Sequence, residues 1–137
     1  MALIHLDAGV LIGFLDADDA HHRAARGAIA DALDSGDRLA MAASALAECL
    51  VAPASRGEAA VAVVHELRHR IPVDIVALDV DIADAAARLR ARHRSVRLPD
   101  ALVIATASVA NADQLITTDR RWPAAKALDL TAALRVL

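Results

Sequence analysis

Four acidic residues, Asp7, Glu48, Asp100 and Asp119, follow one another at intervals of 41, 52 and 19 positions, and each stands at the edge of an apolar segment. A carboxylate in such a place costs free energy unless it has a partner. Asp7 closes the run Leu3-Ile4-His5-Leu6, and Asp119 follows Gln114-Leu115-Ile116-Thr117-Thr118, so both read as the carboxyl ends of buried strands. If those strands are neighbours across a topological switch, the two acids face each other, and Glu48 and Asp100 reach in from adjoining helices. Two ionised carboxylates about 4 Å apart, at an effective dielectric near 20, repel by about 4 kcal/mol. A divalent cation removes that repulsion. All-oxygen ligands favour Mg²⁺ or Mn²⁺ over Zn²⁺. One such ion, or a pair, can lower the pKa of a water, orient it and neutralise charge on a phosphodiester during in-line displacement. Each acid alone has a plainer explanation, as a strand end or the first turn of a helix. Together the four point to hydrolysis of nucleic acid.

Strands alternating with helices must position these acids. After the strand ending at Leu6, a short helix is expected over Ala8 to Asp16, then a helix from Ala20 to about Ser35, capped by Asp19 and stopped at Gly36. Arg38 to Ala43 reads as a strand, and Ser44 as the cap of a helix carrying Glu48. Pro53 is expected to separate that helix from one over Arg56 to Ile71, where Val61, Val64, Leu67 and Ile71 recur at helical spacing. Val73 to Leu78 reads as a strand, and Asp81 as the cap of a helix with Ile82, Ala86 and Leu89 on one face. Pro99 opens an apolar helix through Ala110, Leu115 to Thr117 forms a strand, and Ala127 to Leu130 adds a short edge strand. The alternation predicts one α/β domain over residues 1–137, an α/β/α sandwich around a mainly parallel sheet of four to five strands.

A chain of 137 residues buries enough surface, roughly 70% of what its unfolded form exposes, to fold without a disulfide or structural metal. Any metal is therefore expected to be functional. With 57% hydrophobic residues but one Trp, one Phe and no Tyr, the core is expected to be aliphatic, and stacking on nucleobases is not its main design. A formal charge of −3 excludes a globally electrostatic nucleic-acid binder, so contact with phosphate must come from a local patch. Of 15 basic residues only Lys126 is a lysine, and arginine forks onto phosphate more firmly. The single cysteine, Cys49, excludes an internal disulfide and fits a reducing cytosol. No secretory signal or membrane-spanning run is evident, and a cytoplasmic location is expected.

Arg88, Arg90, Arg92, Arg94 and Arg97, with His93, precede Asp100, and Arg120 and Arg121 follow Asp119. These clusters read first as solvated helix ends that complement the helix dipole, and second as a path for an RNA backbone. Trp122 reads as a filler of the core edge, Cys49 as a buried inert thiol, and His21 with His22 as part of a capped surface helix. Asp79-Val80-Asp81 mimics the nucleophile motif of haloacid-dehalogenase-like phosphatases but lies past mid-chain, so a strand end followed by a helix cap is the better reading.

Several segments resemble the PIN-domain ribonucleases, and within them the VapC toxins of bacterial toxin-antitoxin pairs. Leu6-Asp7-Ala8-Gly9-Val10-Leu11-Ile12 is similar to the family's opening strand and helix, and Ser44-Ala45-Leu46-Ala47-Glu48 to its Ser-to-Glu motif. Leu98-Pro99-Asp100-Ala101-Leu102-Val103-Ile104-Ala105-Thr106-Ala107 resembles its most recognisable segment, and Leu115-Ile116-Thr117-Thr118-Asp119 completes the likeness over nearly the whole chain. The resemblance implies that Asp7, Glu48, Asp100 and Asp119 hold Mg²⁺ or Mn²⁺, with Asp7 and Asp100 closest, that an activated water attacks RNA phosphorus, and that Thr117 assists by hydrogen bonding. It also implies an antitoxin partner covering the acidic groove, and a homodimer. Many relatives carry hydroxyl or amide side chains directly after the first Asp, where this chain has Ala8 and Gly9. Outer-shell support is thinner there, which keeps open an alternative: a catalytically weak PIN-fold protein that binds RNA or antitoxin.

Overall fold

A computed structural model describes residues 1–137. Eleven elements follow one another as β1 (Leu3–Leu6), α1 (Ala8–Leu15), α2 (His22–Asp34), β2 (Arg38–Ala42), α3 (Ala43–Arg56), α4 (Glu58–Arg70), β3 (Val73–Val76), α5 (Val80–Arg92), α6 (Leu98–Val109), β4 (Gln114–Thr117) and β5 (Ala133–Val136). The strands form one sheet in the order β3-β2-β1-β4-β5, and every pairing is parallel. The expected α/β architecture is what the chain forms, with five strands and six helices.

The order of the sheet creates the site. From β1 the chain works outward to β2 and β3, then crosses back to β4 on the other flank of β1. The switch therefore lies between the carboxyl ends of β1 and β4, where ligand crevices form in open parallel sheets. Register does the rest: Leu6 lies opposite Ile116, so the next residues, Asp7 just past β1 and Thr117 closing β4, lie side by side. The Asp7 N–H donates to the Ile116 carbonyl at 2.9 Å, which ties the two exits together.

The core is aliphatic, as the composition requires. Leu6, Leu11, Ile29, Leu39, Ile104, Leu115 and Ile116 are almost fully buried, and Phe14 and Trp122 pack against this cluster from its margin. Central strands are covered on both faces, whereas β5 at the rim is mostly exposed. His5 is buried in the central strand with its Nε2 unpartnered, and burial lowers its pKa, so the ring is neutral.

Several local expectations are corrected. α2 begins at His22 rather than Ala20, because Asp16 and Asp19 accept from the Asp18 and His21 amides and fold the connection into side-chain-capped turns. Ser44 lies inside the first turn of α3 and does not cap it. Pro53 sits within α3, and the break comes at Gly57, whose φ of 120° a side chain would strain. Asp79, not Asp81, caps α5 by accepting from the Ile82 amide at 2.9 Å. β3 stops at Val76, short of Leu78. The edge strand is Ala133–Val136 instead of Ala127–Leu130, because Leu128 and Leu130 plug the core from turns around Asp129, which has a positive φ.

Candidate functional site

Asp7 is the most buried of the acids at the carboxyl edge. Its residue is 7% exposed, it caps α1 by accepting from the Ala8 amide at 2.8 Å, and its second oxygen accepts from Thr117 Oγ1 at 2.7 Å. Burial pushes its carboxyl up to about 6; the Thr117 and Ala8 hydrogen bonds oppose the rise, and the charges of Asp100 and Glu48 add to it. Thr117 is fully buried and serves both sides, since its Oγ1 also accepts from the Asp119 amide at 3.0 Å. One hydroxyl thus ties the end of β1 to the loop that carries Asp119.

The remaining acids arrive from helices and that loop. Asp100 lies in the first turn of α6, and Glu48 lies on α3, which packs against both α1 and α6. Burial raises the Asp100 pKa most, and repulsion from Asp119 adds, while Arg97 opposes. Glu48 is raised by burial and by Asp100, again against Arg97. Asp119 is the exception: hydrogen bonds from Arg121 hold its carboxyl below the usual range. The structure therefore brings the four expected acids toward one edge, where Asp100 is the common neighbour: its charge acts on Asp7 and Glu48, and that of Asp119 acts on it.

The donor chemistry suits a hard divalent cation: carboxylate oxygens, with three of the four acids made harder to ionise by burial and mutual repulsion. As the side chains stand, no three acidic, His or Cys groups converge tightly enough to hold an ion. Asp7 is turned onto Thr117 and Ala8, and Asp119 onto Arg121.

Gly9 has a packing reason that its sequence position did not reveal. A Cβ built there would collide with Thr118 Oγ1, so the Thr118 side chain occupies the space that a side chain at position 9 would take. Other features fall where the plainer readings put them. Cys49 is buried, donates weakly to the Ala8 carbonyl, and has its thiol pushed up to about 12 by burial, which leaves it inert. His22 Nδ1 bonds the Gly13 carbonyl. Arg88 pairs with Asp84 and Arg92 with Asp129. With Asp79 spent on capping α5, the phosphatase reading loses its nucleophile.

Sequence reasoning placed Arg121 in a basic patch without its pairing to Asp119, and left Trp122 out of the site. Arg121 forks onto Asp119, a pairing signalled by its place two residues after an acid at a strand end. Trp122 also borders the site: its buried indole N–H has no hydrogen-bond partner and approaches Asp100 closely enough to favour that acid's ionised form, short of a formed bond. Beside Glu48 opens a cavity of about 450 Å³ between α1, α3 and α4, walled by Ile12, Leu15, Pro53, Val63 and Val64.

Comparisons with known proteins fit this geometry. Among solved structures, VapBC2 from Rickettsia felis, described as bound to a DNA fragment from its promoter, superposes with a TM-score of 0.74 at 14% identity, covering 96% of each chain. VapBC-1 from nontypeable Haemophilus influenzae gives 0.70 at 17% identity over 98% of this chain and 97% of that one. VapC20 from Mycobacterium tuberculosis, described as a sarcin-ricin loop cleaving toxin, gives 0.69 at 19% over 86% and 91%. No curated protein matches by sequence. No helix is long and apolar enough to cross a membrane. The PIN domain pattern matches residues 4–128, a span that contains all four acids, Thr117 and the parallel sheet as far as β4, and the chain belongs to the PIN-domain family.

Proposed function

We propose that this chain is a metal-dependent endoribonuclease, the toxin of a bacterial toxin-antitoxin pair, which cuts RNA to leave 5′-phosphate and 3′-hydroxyl ends and acts in the cytoplasm. The observation that carries the reading is geometric: Asp7 and Asp119 follow the adjacent strands β1 and β4 at the switch point and are joined through Thr117, and Asp100 lines the same small pocket as Asp119. In it, Asp7 and Asp100 hold Mg²⁺ or Mn²⁺, with Glu48 and Asp119 completing the set. When bound, the cation supplies charge neutralisation at the phosphodiester and acidifies the attacking water. Thr117 keeps Asp7 aimed and ionisable. An antitoxin segment fits the apolar cavity that begins at Glu48, where a basic side chain would compete with the cation for the acids. We also propose that two copies of the chain pair, on the family resemblance alone.

A second reading is kept open by the side chains themselves, since no three ligands converge as they stand. On that reading the fold binds RNA or antitoxin and catalyses little. One assay decides between them. Purified, antitoxin-free protein is incubated with structured RNA and Mn²⁺ or Mg²⁺. Nuclease action predicts cleavage that chelation stops, and that Asp7→Asn and Asp100→Asn reduce by more than about 100-fold, beyond the loss expected for an outer-shell partner. Cleavage that survives both substitutions, or that persists in chelator, overturns the proposal. Asp79→Asn is the control and should cleave as the wild type does.

A further inference from the structure

Two of the four acids already hold a countercharge. Asp119 Oδ1 and Oδ2 accept from Arg121 Nε and Nη2, each at 3.0 Å, and Arg97 Nε stands 3.8 Å from Asp100 Oδ2. The side chains of Arg121 and Arg97 are 81% and 72% exposed, and those of their acids 19% and 17%, so both cations lie on the solvent side of the site. Between them is a small pocket of about 90 Å³, which Ser95 and Trp122 also line. Neither guanidinium makes a direct ion pair with a second acid, whereas Arg88 and Arg92 are engaged away from the site. The Asp119 turn does not need the Arg121 side chain, because the Arg121 backbone amide also donates to Oδ1, at 2.9 Å.

A guanidinium and a divalent cation cannot both hold one carboxylate at full strength, because their charges repel at close range. Exposed ion pairs contribute little, so their release costs little. A freed guanidinium at the rim of a cation site then has the planar fork that fits a phosphate. We propose that Arg97 and Arg121 are exchangeable countercharges: they hold Asp100 and Asp119 in the cation-free protein, yield them to the divalent ion, and then grip the RNA backbone. This rests on the nuclease reading above and adds to it a coupling between the two ligands, since each cation bound frees the groups that bind RNA.

The two halves of the exchange move in opposite directions on substitution. Mn²⁺ affinity is measured by electron paramagnetic resonance on the full chain without RNA. Arg121→Ala should bind Mn²⁺ about three- to fivefold more tightly than the wild type, the scale of one exposed ion pair. Arg88→Ala, which breaks a pair of similar exposure elsewhere, should match the wild type. At saturating Mn²⁺, the same Arg121→Ala variant should show a KM for RNA raised several-fold with kcat little changed. Unchanged or weaker Mn²⁺ binding in Arg121→Ala, while Asp7→Asn abolishes it, overturns the exchange and leaves the cation site standing. An unchanged KM overturns it equally. A wild-type chain that binds no Mn²⁺ overturns the cation site, and the exchange falls with it.

Discussion

The inner half of the site, Asp7 with Thr117, and the outer half, Asp100 and Asp119 with their arginines, are built by different means. The inner pair is a product of sheet register: Leu6 opposite Ile116 leaves the next two residues no choice but to meet, and both are buried. The outer pair is held by ion contacts between residues two or three apart, with guanidiniums in solvent. The inner half is accordingly fixed and strained by burial, and the outer half is exchangeable. A site assembled this way can adjust to a ligand on one side without losing its reference point on the other.

The contrast can be broken most forcefully through pH. The Asp7 carboxyl is raised from 3.8 to about 6, so the folded chain holds this proton more tightly than the unfolded chain does. Stability from this group is fully present below about pH 4 and is lost as pH rises through about 6, a difference of about 3 kcal/mol. Chemical denaturation of cation-free protein across that window should show the loss, and Asp7→Asn should remove most of it. Next in size is Thr117→Ala, which leaves Asp7 Oδ2 and the Asp119 amide without their partner. It should cost about 1–3 kcal/mol of stability in urea titrations, with Thr117→Ser recovering most of that. The smallest effect belongs to the outer half: Asp119→Asn should leave stability within about 0.5 kcal/mol of the wild type. A cost at Asp119 as large as that at Thr117 would erase the distinction between the halves.

Much of this was legible beforehand, and for a physical reason. An acid that closes an apolar run is costly without a partner, so Asp7 and Asp119 marked the ends of β1 and β4, which the fold makes neighbours. Where two acids stand close together, as Asp79 and Asp81 do, Asp81 was the expected cap and the fold uses Asp79, because spacing alone does not separate two carboxylates two residues apart. The last strand was misplaced because Leu128 and Leu130 alternate as a strand does, yet they reach the core from turns. Arg121 was read only as part of a basic patch, since an exposed arginine beside an acid is ordinary in sequence and its fork onto Asp119 appears only in the folded chain. Nor could the fit of Thr118 against Gly9 be read from a chain in which the two lie at opposite ends.

The bond from Thr117 Oγ1 to Asp7 Oδ2 also spans 110 positions of the chain. During translation the first acid leaves the ribosome long before its companion hydroxyl exists, and no shorter nascent fragment can arrange the pair. Such separation makes the pairing a property only of a chain synthesised past residue 117, so on the proposed nuclease reading a shorter nascent fragment lacks the assembled edge.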